Sequence, residues 1–345
     1  MNKRVELPLT EPLYKTYHYQ GPGTAIICDN PTIRNGYLND IMNLNCSRKF
    51  LSGFTTPQIT IPDTSWSVSP YLDRIWMSTQ FINGYISPSI TEMLEKGFYV
   101  AFGGVDDYYI KGKTWYKERH FCHDGLICGY DKKDNTYCIY AYDNDWIYRK
   151  FWTPQNCFEL GRKSGVERGY ELFLCCIKAK TEKIEFSPKM AYENIVEYLD
   201  SSMEKYPETE EGPVYGITVH HYIAKYIEKL YDGSIPYERM DRRVFRLIWE
   251  HKKAMFERIT LIEQSLGMND EISKKYRFLV AEADNMRMLF AAHHMKRRDS
   301  VLPIIQNKLL ALMSSEREIL ITLTERMKKD IKDEIVEVFE KRNEK

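Results

Sequence analysis

The stretch HDGLICGYDKKDNTYCIYAYD, His123–Asp143, decides the fold. Gly125–Tyr130 and Thr136–Tyr142 are apolar, aromatic-rich runs, and Asp131-Lys132-Lys133-Asp134-Asn135 between them is a cluster of turn formers. Two such runs about a short polar break form an antiparallel hairpin. Positions 123 and 143 stand about equally far from the turn centre, so pairing brings His123 and Asp143 together at its open end. A carboxylate in that place orients an imidazole and fixes its tautomer. Asp124 is a weaker rival because successive strand residues point to opposite faces, and Asp131 because it lies at the far end. His120, in the polar stretch after Lys117-Glu118-Arg119, is the rival histidine.

Strand-like segments continue on both sides of the hairpin. Phe98–Phe102 and Asp107–Ile110 precede it, and Trp146–Trp152 and Tyr170–Ile177 follow, with short helices expected over about 89–96 and 154–163. After Ser187-Pro188 the period changes to that of amphipathic helices, over about 188–204, 214–231, 240–266, 270–295 and 300–341. Breaks fall at Pro207–Pro213, Gly233–Pro236, Gly267–Asn269 and Arg297–Asp299, and the chain closes on a charge-rich tail, Glu334–Lys345. The expectation is an α+β domain over 1–187 and a helical bundle over 188–345.

Near the start, Ala25-Ile26-Ile27 leads into Cys28 and then Asp29-Asn30-Pro31-Thr32. Asp29 or Asn30 can cap a helix with Pro31 in its first turn, and Ile33, Tyr37, Leu38, Ile41 and Leu44 follow at helical spacing. Cys28 is therefore expected just before, or at, a helix N-terminus, where the positive end of the dipole lowers a thiol pKa. Cys46, at the other end of that helix, is the less favoured rival. Gln20, eight residues before Cys28, can donate to an oxyanion beside the Cys28 backbone N–H, or it is a loop residue in solvent. A cysteine on a helix followed by a histidine and an acid on a hairpin is the order of papain-like cysteine enzymes, in which the nucleophile helix packs on an antiparallel sheet.

Composition narrows the classes. The chain has 345 residues with 49 basic and 49 acidic side chains, which removes the electrostatic case for nucleic acid. Hydrophobic residues make up 43%, enough for a real core. No 18-residue apolar run is present and MNKRVELPLTEP has no apolar stretch behind its charges, so no membrane span and no secretory signal are expected, and a cytoplasmic setting is. All eight cysteines lie at or before Cys176 and are expected as thiols. They include no C-x-x-C pair, and His220-His221 and His293-His294 are adjacent pairs, so no metal and no cofactor are expected. Glu250-His251-Lys252 in the helical half reads as a polar stripe on a bundle helix.

The hairpin segment resembles the His–Asp half of papain-like acyltransferases of the butirosin biosynthesis H N-terminal domain group, which carry an H-D-x-L-I-x-G-Y-D core. A D-R-x-F…E-H-K-x-x-M-x-x-R-I stretch in the helical region of relatives encoded beside nonribosomal peptide clusters is approached by Asp241-Arg242-Arg243-Val244-Phe245, one residue longer, and matched by Glu250-His251-Lys252, Met255 and Arg258-Ile259. The resemblance is nearest to an amide-forming cysteine-protease homologue of closthioamide biosynthesis. It implies that His123 deprotonates Cys28, that the thiolate takes an acyl group from the phosphopantetheine arm of an acyl or peptidyl carrier protein, and that a small amine then forms the amide. The alternatives are a peptidase or amidase using the same triad, and a non-catalytic module that binds a peptide or carrier protein.

Overall fold

A computed structural model describes residues 3–52, 56–78, 84, 86–202 and 212–343, with 331–343 as backbone alone. The chain is α+β and forms two compact units. One comprises Met1–Arg34 and Asp63–Lys183, the other Asn35–Pro62 and Ile184–Lys345.

The first unit is built on a seven-stranded sheet in the order β4 (Leu72–Ser78), β9 (Phe173–Ala179), β5 (Tyr99–Asp106), β6 (Cys122–Asp131), β7 (Thr136–Tyr142) and β8 (Tyr148–Pro154), with β1 (Arg4–Glu6) on the outer part of β6. Every pairing in it is antiparallel. The expected hairpin is β6–β7. Its turn is closed by Asp131, whose Oδ1 accepts the Lys133 N–H at 2.8 Å, and by Asn135 in the left-handed region at φ 49°. Past a bulge between Ile127 and Gly129 the pairing ends at Leu126 and Tyr140, short of positions 123 and 143. The core between sheet and helices gathers Val100, Phe102, Ile127, Ile139 and Leu174 around Phe158. Phe158 comes from α4 (Gln155–Glu167) and meets the ring of Phe102 edge-on at 5.1 Å.

Two local features differ from expectation. Asp107–Tyr109 is a 3-10 turn, because Asp106 Oδ1 accepts the Tyr108 N–H and ends the strand. Residues 72–78, for which no strand was expected, form edge strand β4, whose exposed Ile75 and Trp76 blur the alternation.

Between Phe102 and Val105 the β5–β6 register shifts, so Gly103 and Gly104 together stand opposite Asp124. Gly104 has φ 74°, which favours glycine, and α4 comes so close that a Cβ on Gly165 would lie 1.8 Å from the Gly104 carbonyl oxygen.

The second unit contains α5 (Pro188–Leu199), α6 (Val219–Tyr231), α7 (Arg243–Ser265), α8 (Glu271–Lys296) and α9 (Leu302–Asn343), close to the expected helices. Arg297 at φ 47° closes α8 where the Arg297–Asp299 break was expected. The Pro207–Pro213 break lies largely outside the described residues.

The division at residue 187 needs correction, because Asn35–Pro62 belongs with the helices. In that segment β2 (Asn45–Cys46) pairs with β3 (Ile59–Thr60) and with β10 (Val214–Tyr215). The carbonyls at the end of α2 (Pro31–Asp40) are also held from α7. Arg258 Nε and a terminal guanidinium nitrogen donate to Leu38 O and Ile41 O at 2.5 and 2.9 Å, and His251 Nε2 bonds Met42 O at 2.7 Å. The stripe Glu250-His251-Lys252 is therefore not solvated: all three are buried.

Candidate functional site

His123 and Asp124 open β6, and Gly103-Gly104 across from them form the bulge. A bulge re-aims side chains, which explains how two consecutive strand residues contribute to one cluster. His18, just ahead of α1 (Gly21–Asp29), meets them. Its Nε2 lies 2.8 Å from Asp124 Oδ1, and its ring centroid 4.6 Å from that of His123. His123 Nε2 is 3.9 Å from the same carboxylate oxygen, while its Nδ1 faces Asp107 Oδ2 at 3.7 Å. Lys113 Nζ, on a side chain only 2% exposed, lies 3.7 Å from Asp107 Oδ1 and has no hydrogen-bond partner among the described residues. Phe121 flanks His123 at 5.4 Å between centroids.

The electrostatics follow from burial beside like and unlike charges. Burial, then Lys113 and His18, push the His123 pKa down to about 3, leaving a neutral imidazole at pH 7. Burial raises Asp107 to about 6, with Lys113 opposing the rise and Asp106 and Asp124 adding to it. Burial also pushes Asp124 up, but the His18 hydrogen bond and the His18, His123 and Lys113 charges outweigh it, so the carboxyl lies below its usual range. The cluster thus offers two imidazoles, an ionised carboxylate and a nearby ammonium. Donor atoms of His18, His123 and Asp124 all lie within 4.8 Å of one another, close enough for one metal ion.

The structure distributes the expected site residues differently. Cys28 is the next-to-last residue of α1, not the start of a helix. The expected cap does exist one step later: Asn30 Oδ1 accepts the Thr32 N–H at 3.0 Å at the head of α2. The run before it, read as a short apolar lead-in, is itself helical, so Cys28 sits at the negative end of one short helix as well as ahead of the positive end of the next. His18 precedes α1 in the chain, and seven residues of helical rise from Gly21 to Cys28 amount to about 10 Å.

Asp143 is turned to a different task. Its Oδ1 accepts the N–H groups of Asp145 and Ile147, each at 2.9 Å, and its Oδ2 pairs with Arg149, so it organises the β7–β8 turn. Asp124, the rival set aside on strand alternation, is the acid that joins the histidines. Gln20 is N-terminal to α1 but wholly buried: its Nε2 donates to Thr64 Oγ1 at 2.8 Å and its Oε1 accepts the Tyr17 N–H at 3.3 Å. It is neither a solvated loop residue nor an exposed oxyanion donor.

Rival residues also have defined places. His120 Nδ1 lies 2.7 Å from the buried Asp106 Oδ2 and stacks on Tyr108, forming a second His–Asp pair. Burial pushes the Cys46 thiol up to about 12 and that of Cys122 up to about 11, which leaves both as thiols at neutral pH.

His18 and Lys113 carried no signal in the sequence. His18 is a lone histidine in a Tyr-rich irregular stretch, and Lys113 one lysine among many; only tertiary folding puts them beside His123. No protein-family model matches the chain, and no curated protein matches it. No helix among the described residues is long and apolar enough to cross a membrane.

Proposed function

We propose that the first unit is a papain-like scaffold used for binding: it holds the acyl or peptidyl group of a carrier-protein thioester at His123, without forming a Cys28 acyl-enzyme. The observation that carries this reading is that His123 groups with His18 and Asp124, whereas Cys28 lies in the last turn of α1, the helix that His18 precedes. The buried Lys113 ammonium and the neutral His123 supply donors for a carbonyl or carboxylate, and Phe121 supplies an apolar wall. The carrier protein and the amine partner enter through the sequence resemblance. Amide formation through Cys28, with His123 as base, is the competing outcome.

The test is intact-protein mass spectrometry after incubation with a peptidyl-pantetheine thioester, alongside tryptophan-fluorescence titration with the same probe. Saturable binding with no mass increase, unchanged in Cys28→Ala, is expected. A covalent acyl adduct on the wild type that disappears in Cys28→Ala overturns the binding reading in favour of acyl transfer.

A further inference from the structure

We propose that His18, His123 and Asp124 bind one divalent transition-metal ion of the zinc type. The inference does not depend on the binding function above, since it concerns the affinity of the protein for a metal alone.

The donor set has the right chemistry. Imidazole suits zinc, copper, nickel and iron, and two imidazoles with one carboxylate leave coordination positions open for water or a ligand. Spacing agrees as well. Four-coordinate zinc with bonds near 2.0–2.1 Å needs donors about 3.4 Å apart. Asp124 Oδ1 stands 2.8 Å from His18 Nε2 and 3.9 Å from His123 Nε2, values on either side of that edge. Small rotations of exposed or half-buried side chains suffice to equalise them, as the three side chains are 38%, 24% and 18% exposed.

A second observation points the same way. A metal-bound histidine commonly presents its other ring nitrogen to a carboxylate. With Nε2 toward Asp124, His123 turns Nδ1 toward Asp107, 3.7 Å away, where a small closure makes the hydrogen bond. Among the described residues, His120 in its pair with Asp106 belongs to no such cluster, so two nearby His–Asp pairs differ in this respect.

The charge that opposes a cation is Lys113, within 3.7 Å of Asp107. Its presence makes a sharp test: a metal bound at this cluster is repelled by the ammonium, so Lys113→Met tightens binding several-fold.

The full chain, stripped with a chelator, is titrated with zinc chloride in competition with a chromophoric chelator. One zinc ion per chain is expected. His18→Gln and Asp124→Asn should each weaken it by at least about tenfold. His120→Gln should leave it unchanged. X-ray absorption of the zinc-loaded wild type should show nitrogen and oxygen neighbours with the outer-shell pattern of two imidazoles, a readout that survives if a variant fails to fold. No zinc uptake, sulfur in the first shell, or equal loss in His120→Gln and His18→Gln overturns the proposal.

Discussion

Removing one partner of the Lys252–Glu316 pair should unfold the helical unit far more readily than removing both. Lys252 Nζ lies 2.7 and 2.6 Å from the two Glu316 oxygens, and the side chains of both residues are completely buried. Tyr198 OH donates to Glu316 Oε2 at 3.0 Å, Tyr276 OH bonds Oε1, and His220 Nε2 stands 3.7 Å away. Lys252 also contacts Tyr198 OH at 3.2 Å and His251 Nδ1 at 3.3 Å. Burial pushes Glu316 up, but the Lys252 and His220 charges and the hydrogen bonds reverse this and hold its carboxyl below the usual range. Glu316→Leu strips the ammonium of its counter-charge and leaves two tyrosine hydroxyls without their acceptor. Breaking a buried pair this way costs about 3–5 kcal/mol.

Replacing both partners by apolar residues of similar volume is often neutral or stabilising, because the desolvation of two charges disappears with their attraction. Lys252→Met with Glu316→Leu should therefore recover most of the loss, leaving a deficit of roughly 1–3 kcal/mol from the unpaired tyrosine hydroxyls. Urea unfolding of the full chain, followed by circular dichroism at 222 nm, measures it. At about 2–4 °C per kcal/mol, the single change lowers Tm by roughly 6–20 °C. A single-variant loss below about 1 kcal/mol, or a double variant as unstable as the sum of the two singles, refutes the reasoning, since a coupled pair must be non-additive.

Three further predictions follow from the first unit. His123 has a folded pKa depressed to about 3 by burial, Lys113 and His18, so the unfolded chain takes up a proton near pH 6.5 that the folded one refuses; stability falls as pH drops from about 6.5 toward 3. His123→Asn removes that dependence and should be less acid-sensitive than the wild type by about 2 kcal/mol at pH 4.5, read from paired urea curves at pH 7 and 4.5; identical pH slopes would count against a buried neutral imidazole. Gly165→Ala places a Cβ 1.8 Å from Gly104 O, so α4 or the bulge must move, lowering stability by about 1–3 kcal/mol and disturbing Asp124. A wild-type melting curve for that variant would show the close approach to be dispensable. Gln20→Ala removes two buried hydrogen bonds and should cost about 1–3 kcal/mol while leaving thioester-probe binding intact; loss of binding at unchanged stability would restore Gln20 to the site.

Local signals in the sequence were strong where one segment decides its own conformation. Asp131–Asn135 carries its turn chemistry internally and sets the inner pairs from Asp131–Thr136 to Gly129–Cys138; beyond Gly129 a bulge shifts the register by one residue. Asn30-Pro31 announces α2 by its cap. Segments that depend on partners were not legible. The helix α1 contains Gly21, Pro22 and Gly23, residues that mark loops, and it forms in a nearly wholly buried setting. Because of it, Cys28 meets the negative end of α1 as well as standing ahead of α2. The alternation rule correctly sends neighbouring strand side chains apart, but it fails at Asp124 because of a bulge on a different strand, where the Gly103-Gly104 pair gives no sign of which residue it will face.

The helical motif that carried the resemblance has structural work in this chain. His251 bonds a carbonyl just after α2, the Arg258 cation meets the negative end of that helix, and Lys252 anchors Glu316 from α9. Such residues report how Asn35–Pro62 is held against α7; they say nothing of a reacting bond. His123 and Asp124 of the hairpin motif converge instead with His18, while Cys28 lies in the last turn of α1. On the reading proposed above, the groups around His123, not Cys28, carry the binding. The deciding comparison is between the Cys28→Ala and His18→Gln variants. If the site works through His18, His123 and Asp124, only the second loses function.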